Sequence, residues 1–445
     1  MPGAAGAVIA APSSGSGKTT ITLGLLRHFS RSNLAVSSFK VGPDYIDPGF
    51  HAAASGRPCL NIDSWAMRPE MVSSLFGQAA SDVDIVIGEG VMGLFDGAQT
   101  APGTPPGKPS GSTADTAALL NLPVILVVDA GAQAQSAAAT VHGFATFRAD
   151  VTVSGVIFNR VGSDRHARML CDAAAPLGIP VLGCVPRSPD IAVPDRHLGL
   201  VQASEMAALE VFLDAAADLV ARHIDLAALK SILRGAGVTA SDVSSLPIPP
   251  LGQRIAVASD DAFRFAYPHV LNGWRAAGAE IMPFSPLADQ APHQTCDAVY
   301  LPGGYPELQA AKLAANGVFL QGLRDASARD AAIYGECGGY MVLGEILTDA
   351  DGQSHRMAGL LPLETSFARR KMHLGYRNAV LSADTPLGPA ETVYGAHEFH
   401  YASTTRLGDA RPLFTVSDAA GNDLGPAGLQ AGSVFGSFIH LIDRR

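Results

Sequence analysis

A glycine- and serine-rich segment near the start of the chain constrains the fold more than any other feature. The segment APSSGSGKTT, residues 11–20, lies between an apolar strand predicted over 7–11 and a helix predicted over 19–29. A second strand predicted over 35–41 completes a βαβ unit. In this setting the glycines let backbone N–H groups converge on phosphate oxygens at a helix N-terminus. The predicted nucleotide-binding residues of the segment are Gly15, Ser16, Gly17, Lys18, Thr19 and Thr20.

Two side chains of this loop carry the rest of the phosphate chemistry. Lys18 supplies a mobile positive charge, and the Thr19 hydroxyl can bind Mg²⁺. The motif departs from its strict form because Pro12 occupies the position of the first glycine. An accidental glycine-rich turn is the alternative, but the order of strand, turn and helix favours nucleotide binding.

Later apolar segments predict a doubly wound parallel sheet followed by a second α/β domain. Further strands are predicted over 83–87, 124–128, 153–158 and 179–184, and then over 254–259, 280–284, 298–301 and 331–334. Ser, Pro and Asp concentrate in residues 239–253 without any periodicity, which is typical of a linker. We therefore predict a first domain over 1–238, a linker over 239–253 and a second domain over 254–445.

Composition limits the class of protein and of partner. Hydrophobic residues make up 47% of the 445 residues and charged residues only 16%, which predicts a large core and argues against disorder. The formal net charge is −10 and no basic run interrupts it, so a nucleic-acid partner is disfavoured. Apolar runs stop far short of the roughly 20 residues that a membrane span needs. We predict a cytoplasmic protein with small-molecule partners; its oligomeric state stays open, with a homodimer among the options.

Two acidic clusters follow predicted strands, GPDYIDP over 42–48 and GEGVMGLFDG over 88–97. Ligands of α/β sheets gather at the carboxyl ends of the strands, so these carboxylates could hold Mg²⁺ or orient a substrate. The candidates are Asp44, Asp47, Glu89 and Asp96. Each could instead cap a helix or stabilise a turn, although their grouping favours a site.

Two further features of the first half have open interpretations. Asn159 ends the predicted strand that contains GVIFN, and its amide could read the edge of an adenine ring or simply stabilise a turn. Residues 100–112 are too rich in Pro and Gly to pack regularly. They could form a mobile substrate loop or a tolerated surface insertion.

The second half contains a candidate cysteine nucleophile. In YGECGGYM, Cys337 lies on a glycine-flanked turn between a predicted strand and a predicted helix, as in a nucleophile elbow. The amide of Gly338 and the loop containing Gly303 and Gly304 could form an oxyanion hole. A buried, unreactive thiol is the alternative, but it does not explain the glycines on both sides.

The base for this cysteine must be a histidine. His440 is expected at the end of the last strand, where a Cys–His pair could form. The competing cluster HEFH, residues 397–400, has the wrong spacing for the H-E-x-x-H zinc motif. We expect that cluster to border the site or to form a structural network.

Taken together, the motifs resemble those of the cobyrinic acid or hydrogenobyrinic acid a,c-diamide synthase family. The resemblance spans nearly the whole chain, and its segments occur in the same order. They are APSSGSGKTT, KVGPDYIDPGFH, GEGVMGLFDG, GVIFNRV, LPGGYPEL, YGECGGYMVLG, HLGYR, AHEFHY and SFIHL. It implies a dethiobiotin synthetase-like P-loop NTPase domain followed by a class I glutamine amidotransferase domain. The implied activity is ATP- and glutamine-dependent amidation of the a and c acetate carboxylates of a corrin precursor in cobalamin biosynthesis, through acyl phosphates.

The resemblance also implies roles for individual residues. Lys18 and the loop amides would hold the triphosphate, and Asn159 would read adenine. The Mg²⁺ ligands would be Thr19, Asp47 and Glu89, whereas Asp44 and Asp96 would face the substrate or the metal. Cys337 and His440 would form the glutaminase pair. Many class I amidotransferases have an acid two residues after the histidine, but here that residue is Ile442, followed by Asp443.

Three alternatives stay open at this point. The chain could amidate another tetrapyrrole, such as nickel sirohydrochlorin. Cobalt-containing cobyrinate and metal-free hydrogenobyrinate are not distinguished by the motifs. A non-catalytic partitioning-type P-loop ATPase switch is a third reading, although it leaves Cys337 and His440 without a role.

Overall fold

The computed structural model describes residues 4–99, 103, 109–188, 191, 206, 208–235 and 246–445. The chain divides into two compact units. The first comprises Met1–Trp65, Pro69–Gly97 and Gly107–Val243, and the second comprises Ala66–Arg68, Ala98–Pro106 and Ser244–Arg445. Most of the predicted loop over 100–112, and residues 239–245 of the predicted linker, lie outside the described residues. The domain boundaries therefore stay a prediction.

The first unit is a parallel sheet with helices. Its described strands are β1 (Ala5–Ala10), β2 (Val36–Val41), β3 (Leu60–Ile62), β4 (Ile85–Glu89), β5 (Val124–Asp129), β6 (Val153–Val161), β7 (Val181–Pro186) and β8 (Arg234–Gly235). Its described helices are α1 (Lys18–Arg31), α2 (Asp47–Ser55), α3 (Pro69–Ala79), α4 (Thr113–Leu119), α5 (Ser136–Thr146), α6 (Asp164–Ala174), α7 (Leu209–His223) and α8 (Leu226–Ile232).

The strand order β3-β2-β4-β1-β5-β6-β7 confirms the predicted doubly wound parallel sheet. All of these pairs are parallel, and β8 adds antiparallel to β1. Strands such as β5, with the sequence VILVVD, are buried along almost their whole length because helices cover both faces of a parallel sheet. Helix α1 turns Ile21, Leu25 and Phe29 toward the core at a spacing of four residues.

The second unit contains a parallel sheet and two further sheets. Its strands are β9 (Arg254–Ala258), β10 (Glu280–Phe284), β11 (Ala298–Leu301), β12 (Ala332–Glu336), β13 (Ile346–Thr348), β14 (Ser354–Arg356), β15 (Leu363–Ser366), β16 (His373–Leu381), β17 (Val393–His400), β18 (Ser403–Leu407), β19 (Phe414–Asp418), β20 (Asp423–Ala427), β21 (Leu429–Ala431), β22 (Val434–Ser437) and β23 (Ile439–Arg444). Its helices are α9 (Pro268–Ala276), α10 (Ala310–Ala315), α11 (Gly317–Ala328) and α12 (Gly338–Leu343).

The sheet β10-β9-β11-β12-β22-β21 is parallel except for its last pair, which confirms the predicted second α/β fold. The antiparallel sheet β20-β19-β16-β17-β23 and the mixed sheet β14-β13-β15-β18 were not predicted. Strands such as β16, HLGYRNAVL, are only partly buried and place polar residues between apolar ones, so they lack the continuous apolar run of a parallel strand. Across the described residues, no helix combines the length and apolar character needed to span a bilayer.

Candidate active sites

The loop between β1 and α1 has the geometry that its sequence predicted. Gly15 and Gly17 adopt left-handed backbone conformations, with φ of 77° and 93°, which let the chain turn sharply into α1. The Lys18 ammonium donates hydrogen bonds to the carbonyls of Met92, at 2.6 Å, and Ser13, at 3.3 Å. Burial, and then the neighbouring Lys40, lower the pKa of Lys18. A phosphate group beside this loop would offset that clustering of positive charge.

The predicted metal ligands of the first unit lie together. The Thr19 hydroxyl donates to Glu89 Oε1 at 2.5 Å. The ammonium of Lys40 donates to the same oxygen at 2.9 Å and to Asp47 Oδ2 at 2.5 Å. Thr19, Asp47 and Glu89 therefore converge on one point at the carboxyl ends of β2 and β4, although three different segments contribute them.

Two residues of this cluster were missed from the sequence, Lys40 and His51. His51 Nε2 lies 2.6 Å from Glu89 Oε2, and Cys59 Sγ lies 3.6 Å from His51 Nδ1. Glu89 is fully buried; burial raises the pKa of its carboxyl, but Lys40 and His51 outweigh burial and lower it. Lys40 could have indicated this cluster from the sequence, because a lysine inside a predicted buried parallel strand needs partners of opposite charge.

The donor set of this cluster fits a divalent cation such as Mg²⁺. Its ligand atoms would be one hydroxyl and carboxylate oxygens, which are the hard donors that Mg²⁺ prefers. Asp44, Asp47 and Glu89 bring three carboxylates to the single ammonium of Lys40. Burial, and then the Asp44 carboxylate, raise the pKa of Asp47. A bound divalent cation would favour the ionised form of this carboxylate.

Asp44 and Asp96 also have structural roles. Asp44 Oδ1 accepts hydrogen bonds from the amides of Ile46, at 2.8 Å, and Asp47, at 3.0 Å, at the start of α2. Asp96 Oδ2 accepts from the Gly93 amide at 2.8 Å. The turn alternative is therefore realised for both residues, and their roles toward substrate stay predictions.

Asn159 packs against the phosphate loop rather than ending its strand. Its side-chain amide donates to the Ser16 carbonyl at 2.9 Å, and a Cβ on Gly17 would lie only 2.1 Å from Asn159 Nδ2. Strand β6 continues to Val161, so the predicted strand end at Asn159 is wrong. The Asn159 amide has a second donor hydrogen beyond the one that bonds Ser16, so it could still contact an adenine ring. That contact stays a prediction.

In the second unit, Cys337 occupies the sharp turn between β12 and α12. Its backbone has φ 47° and ψ −103°, a conformation that non-glycine residues rarely adopt. A Cβ on Gly338 would lie 2.8 Å from Pro306 Cδ and 3.1 Å from the Gly304 nitrogen. Only a glycine after the cysteine allows this close approach of the Gly304 nitrogen to residue 338. The role of this loop as an oxyanion hole stays a prediction.

His440 and Gly303 border Cys337. A Cβ on Gly303 would lie 2.5 Å from His440 Cε1 and 3.4 Å from Cys337 Cβ. Cys337 is 4% exposed and His440 is 1% exposed. Burial lowers the pKa of His440, but Cys337 and then Glu336 outweigh burial and raise it to about 10. The imidazole is therefore poised to hold the proton that the thiol releases.

The predicted position of His440 at the end of the last strand is wrong. His440 is the second residue of β23, and β22 has ended at Ser437, beside the end of β12. The chain leaves the parallel sheet at that point and enters the antiparallel sheet, where His440 pairs with His397. This change of sheet brings the imidazole to the turn that carries Cys337.

The HEFH segment borders this site and forms a polar network. Glu398 accepts from Arg377 Nε at 2.8 Å and lies 2.9 Å from His400 Nε2. His373, Glu398 and His400 have potential ligand atoms within 4.8 Å of one another, but the Arg377 cation already neutralises the carboxylate. Burial, and then His440, lower the pKa of His397 to about 3. His397 is therefore a neutral neighbour of His440.

Comparison with known proteins assigns both units. Residues 7–201 match the CobQ/CobB/MinD/ParA nucleotide binding domain, and residues 254–445 match the CobB/CobQ-like glutamine amidotransferase domain. Proteins named hydrogenobyrinate a,c-diamide synthase match over the full length. That of Brucella abortus is 56% identical over 441 residues, and that of Mesorhizobium japonicum is 51% identical over 440 residues. Each match covers 98% of both chains.

The family predicted from the motifs is therefore confirmed by relatives that align from end to end. The match to the glutamine amidotransferase domain includes Cys337 and His440 in the second unit. The match to the nucleotide-binding domain includes the phosphate loop in the first unit. The chain belongs to the cobyrinic and hydrogenobyrinic acid a,c-diamide synthase family.

Proposed function

We propose that this protein uses ATP and glutamine to convert the a and c acetate carboxylates of hydrogenobyrinate to amides. The observation that carries the proposal is that the candidate catalytic side chains group into two separate sites in one chain. One has the phosphate loop with Lys18 and Thr19 beside Glu89, and the other has Cys337 beside His440. Relatives named for the hydrogenobyrinate reaction favour that substrate over cobyrinate or nickel sirohydrochlorin.

The first unit would activate the carboxylate. A carboxylate oxygen attacks the γ-phosphorus of ATP and ADP leaves, which gives an acyl phosphate that ammonia can attack with loss of phosphate. Lys18 and the amides of residues 15–20 would orient the triphosphate and counter the charge that develops on it. Thr19, Asp47 and Glu89 would hold Mg²⁺, which when bound neutralises charge on the transferring phosphoryl group.

Lys40 would have a positioning role at the same centre. Its ammonium holds Glu89 and Asp47 at 2.9 Å and 2.5 Å, so the two carboxylates are fixed before any ligand arrives. His51 Nε2 contacts the other oxygen of Glu89 at 2.6 Å. Preorganised ligands reduce the reorganisation that binding would otherwise require.

The second unit would release ammonia from glutamine. The Cys337 thiol transfers its proton to His440 as sulfur attacks the amide carbon, and the imidazolium returns the proton to the departing ammonia. Water then attacks the thioester carbon while His440 takes its proton, the C–S bond breaks to release glutamate, and the proton returns to the Cys337 sulfur. The amides of Gly338 and Gly304 would stabilise the oxyanion in both steps, since the Gly304 nitrogen lies beside Gly338.

A partitioning-type switch would use the phosphate loop alone. It would give no function to the strained turn at Cys337 or to the close approach of Gly303 to the buried His440. Both reactants, ATP and glutamine, are cytoplasmic metabolites, so we place the reaction in the cytoplasm. A homodimer stays a prediction that light scattering would test.

Mass spectrometry of the macrocycle tests the proposal directly. The protein is incubated with ATP, Mg²⁺, glutamine and, in parallel, hydrogenobyrinate, cobyrinate or nickel sirohydrochlorin. We expect two successive carboxyl-to-amide exchanges on hydrogenobyrinate. With Cys337→Ala, the exchanges should persist with ammonium salts and disappear with glutamine. Absence of any amide product from hydrogenobyrinate, or its preferential formation on another macrocycle, would contradict the assignment.

A further inference from the structure

The position two residues after His440, where many class I amidotransferases have the acid that orients the histidine, carries no acid here. Ile442 occupies the usual position, and its carbonyl lies 2.9 Å from His269 Nε2. The next residue, Asp443, is fully buried but is engaged elsewhere. It accepts hydrogen bonds from Arg68, at 2.8 Å from the backbone amide, 3.0 Å from Nε and 2.8 Å from Nη2. Asp443 therefore neutralises Arg68.

A different carboxylate lies beside the imidazole, that of Glu336. Its Oε2 lies 3.7 Å from His440 Nδ1, an ion-pair separation slightly longer than a hydrogen bond. Glu336 is the last residue of β12 and directly precedes Cys337. It is 2% exposed, so this interaction is shielded from solvent. The nucleophile and the carboxylate thus come from the same turn.

Three neutral donors hold the Glu336 carboxylate in place. Tyr300 Oη donates to Oε2 at 2.8 Å, Tyr334 Oη donates to Oε1 at 2.8 Å, and the Leu441 amide donates to Oε1 at 3.1 Å. Tyr300 and Tyr334 pair across β11 and β12, and their rings stack at 5.8 Å. These donors fix both oxygens without neutralising them, so the negative charge remains available to His440.

The Leu441 contact adds a second link to the histidine. Leu441 directly follows His440 on β23, and its amide donates to the same carboxylate that faces the ring. Glu336 therefore accepts a hydrogen bond from the backbone of β23 and lies at ion-pair distance from the imidazole that projects from it. Sliding of the strand would break this buried hydrogen bond.

Within the part of the chain that the structure describes, three titratable side chains lie around His440. Glu336 and Cys337 face it from the end of β12 and the turn that follows, and His397 faces it from β17. His397 is neutral over the working pH range, because its pKa is lowered to about 3. Glu336 is thus the carboxylate in this group that can stabilise a positive charge on the ring.

We propose that Glu336 is the positioning residue of the glutaminase centre: it fixes the His440 ring and stabilises the imidazolium that forms when Cys337 gives up its proton. The inference rests on the glutaminase reaction proposed above. An orienting acid is defined by its place beside the ring and not by its place in the chain, so a carboxylate next to the nucleophile serves as well as one after the histidine. The proton moves from sulfur to the imidazole and is not passed on to Glu336.

The test is the pH dependence of glutamate release from glutamine by Glu336→Gln. Loss of the carboxylate should lower kcat about tenfold or more with little change in KM. The basic limb of the kcat profile should move to lower pH by about one unit or more, because the imidazolium loses its stabilising charge. Glu336→Asp, which keeps the charge at a greater distance, should fall between Glu336→Gln and the wild type.

Two controls separate positioning from stability. Asp443→Asn removes the acid nearest in sequence, and Tyr394→Phe removes a buried hydroxyl that donates to the Leu387 carbonyl. Both should leave the basic limb unchanged, even where the thermal transition falls. If Glu336→Gln does not fold, Tyr300→Phe replaces it, and a severalfold loss of kcat at constant KM is expected.

The outcomes distinguish the inference from the function on which it rests. A wild-type protein that releases no glutamate overturns the proposed function. A wild type that is active, with folded Glu336→Gln of unchanged kcat and pH profile, overturns only the role of Glu336. If the basic limb of the kcat profile shifts in Asp443→Asn but not in Glu336→Gln, the role of Glu336 is also overturned.

Discussion

A single methyl group at Gly303 should disable the glutaminase centre without unfolding the protein. A Cβ at that position would lie 2.5 Å from His440 Cε1, about 1 Å short of a van der Waals contact between carbon atoms. The ring cannot retreat freely, because Glu336 and His397 lie around it and it is 1% exposed. Gly303→Ala should therefore move the imidazole by about 1 Å.

A displacement of that size in a catalytic group costs on the order of 100-fold in rate. This corresponds to about 2.7 kcal/mol of transition-state stabilisation. We expect kcat for glutamate release to fall by about that factor in Gly303→Ala. Synthesis driven by added ammonium should stay at the wild-type rate, since it does not use Cys337 or His440.

Gly317→Ala is the matched control in the same unit. A Cβ there would have no neighbour within 4 Å, and the residue begins α11 with an ordinary backbone conformation. This variant should keep wild-type glutaminase activity and be slightly more stable, because alanine favours a helix over glycine. Wild-type glutaminase activity in folded Gly303→Ala would refute the placement of the oxyanion loop against His440.

Three other predictions concern buried polar side chains elsewhere in the protein. Lys40→Met should abolish ATP-dependent synthesis with either nitrogen source, because it leaves Asp47 and Glu89 without their shared cation. Glutamate release should continue, and an equal loss of both activities would indicate unfolding. Arg68→Ala should lower the free energy of unfolding by about 3–5 kcal/mol, because it leaves the Asp443 carboxylate buried without its cation. Urea titrations measure this change, and a change below about 1 kcal/mol would contradict the pairing. The pKa of buried His269 is lowered from 6.5 to about 4 by burial, so the unfolded chain binds a proton that the folded chain does not, and stability should fall as pH drops from 6.5 toward 4. Between pH 6.5 and 5 the loss from His269 should approach about 2 kcal/mol, and His269→Gln should show a shallower slope in the same urea titrations.

The sequence predicted the parallel sheets and both reactive motifs because each rests on local signals. Buried strands such as β5 are continuous apolar runs, and the phosphate loop and the Cys337 turn need glycines at particular positions. Such signals lie within about ten residues of one another. They can therefore be recognised without knowledge of the tertiary structure.

The features that were missed depend on contacts between distant segments. Lys40 meets Glu89 and Asp47 only when β2 and β4 are paired, and nothing near Lys40 in the chain indicates that cluster. The placement of His440 depends on the change from the parallel to the antiparallel sheet after Ser437. Glu336 faces His440 across more than one hundred residues of sequence, so the usual spacing after the histidine gave no guide to it.

The fate of ¹⁸O in the substrate carboxylates shows whether the first unit activates them by phosphoryl transfer. Hydrogenobyrinate labelled at the a and c carboxylates is amidated by the wild type with glutamine and by Cys337→Ala with ammonium. In both reactions we predict one ¹⁸O in inorganic phosphate for each amide formed, because the carboxylate oxygen bonds to the γ-phosphorus in the first unit while the second unit only supplies nitrogen. The second ¹⁸O of each fully labelled carboxylate stays in the amide. Unlabelled phosphate, or label in the adenine nucleotide, would contradict activation by phosphoryl transfer and with it this division between the two units.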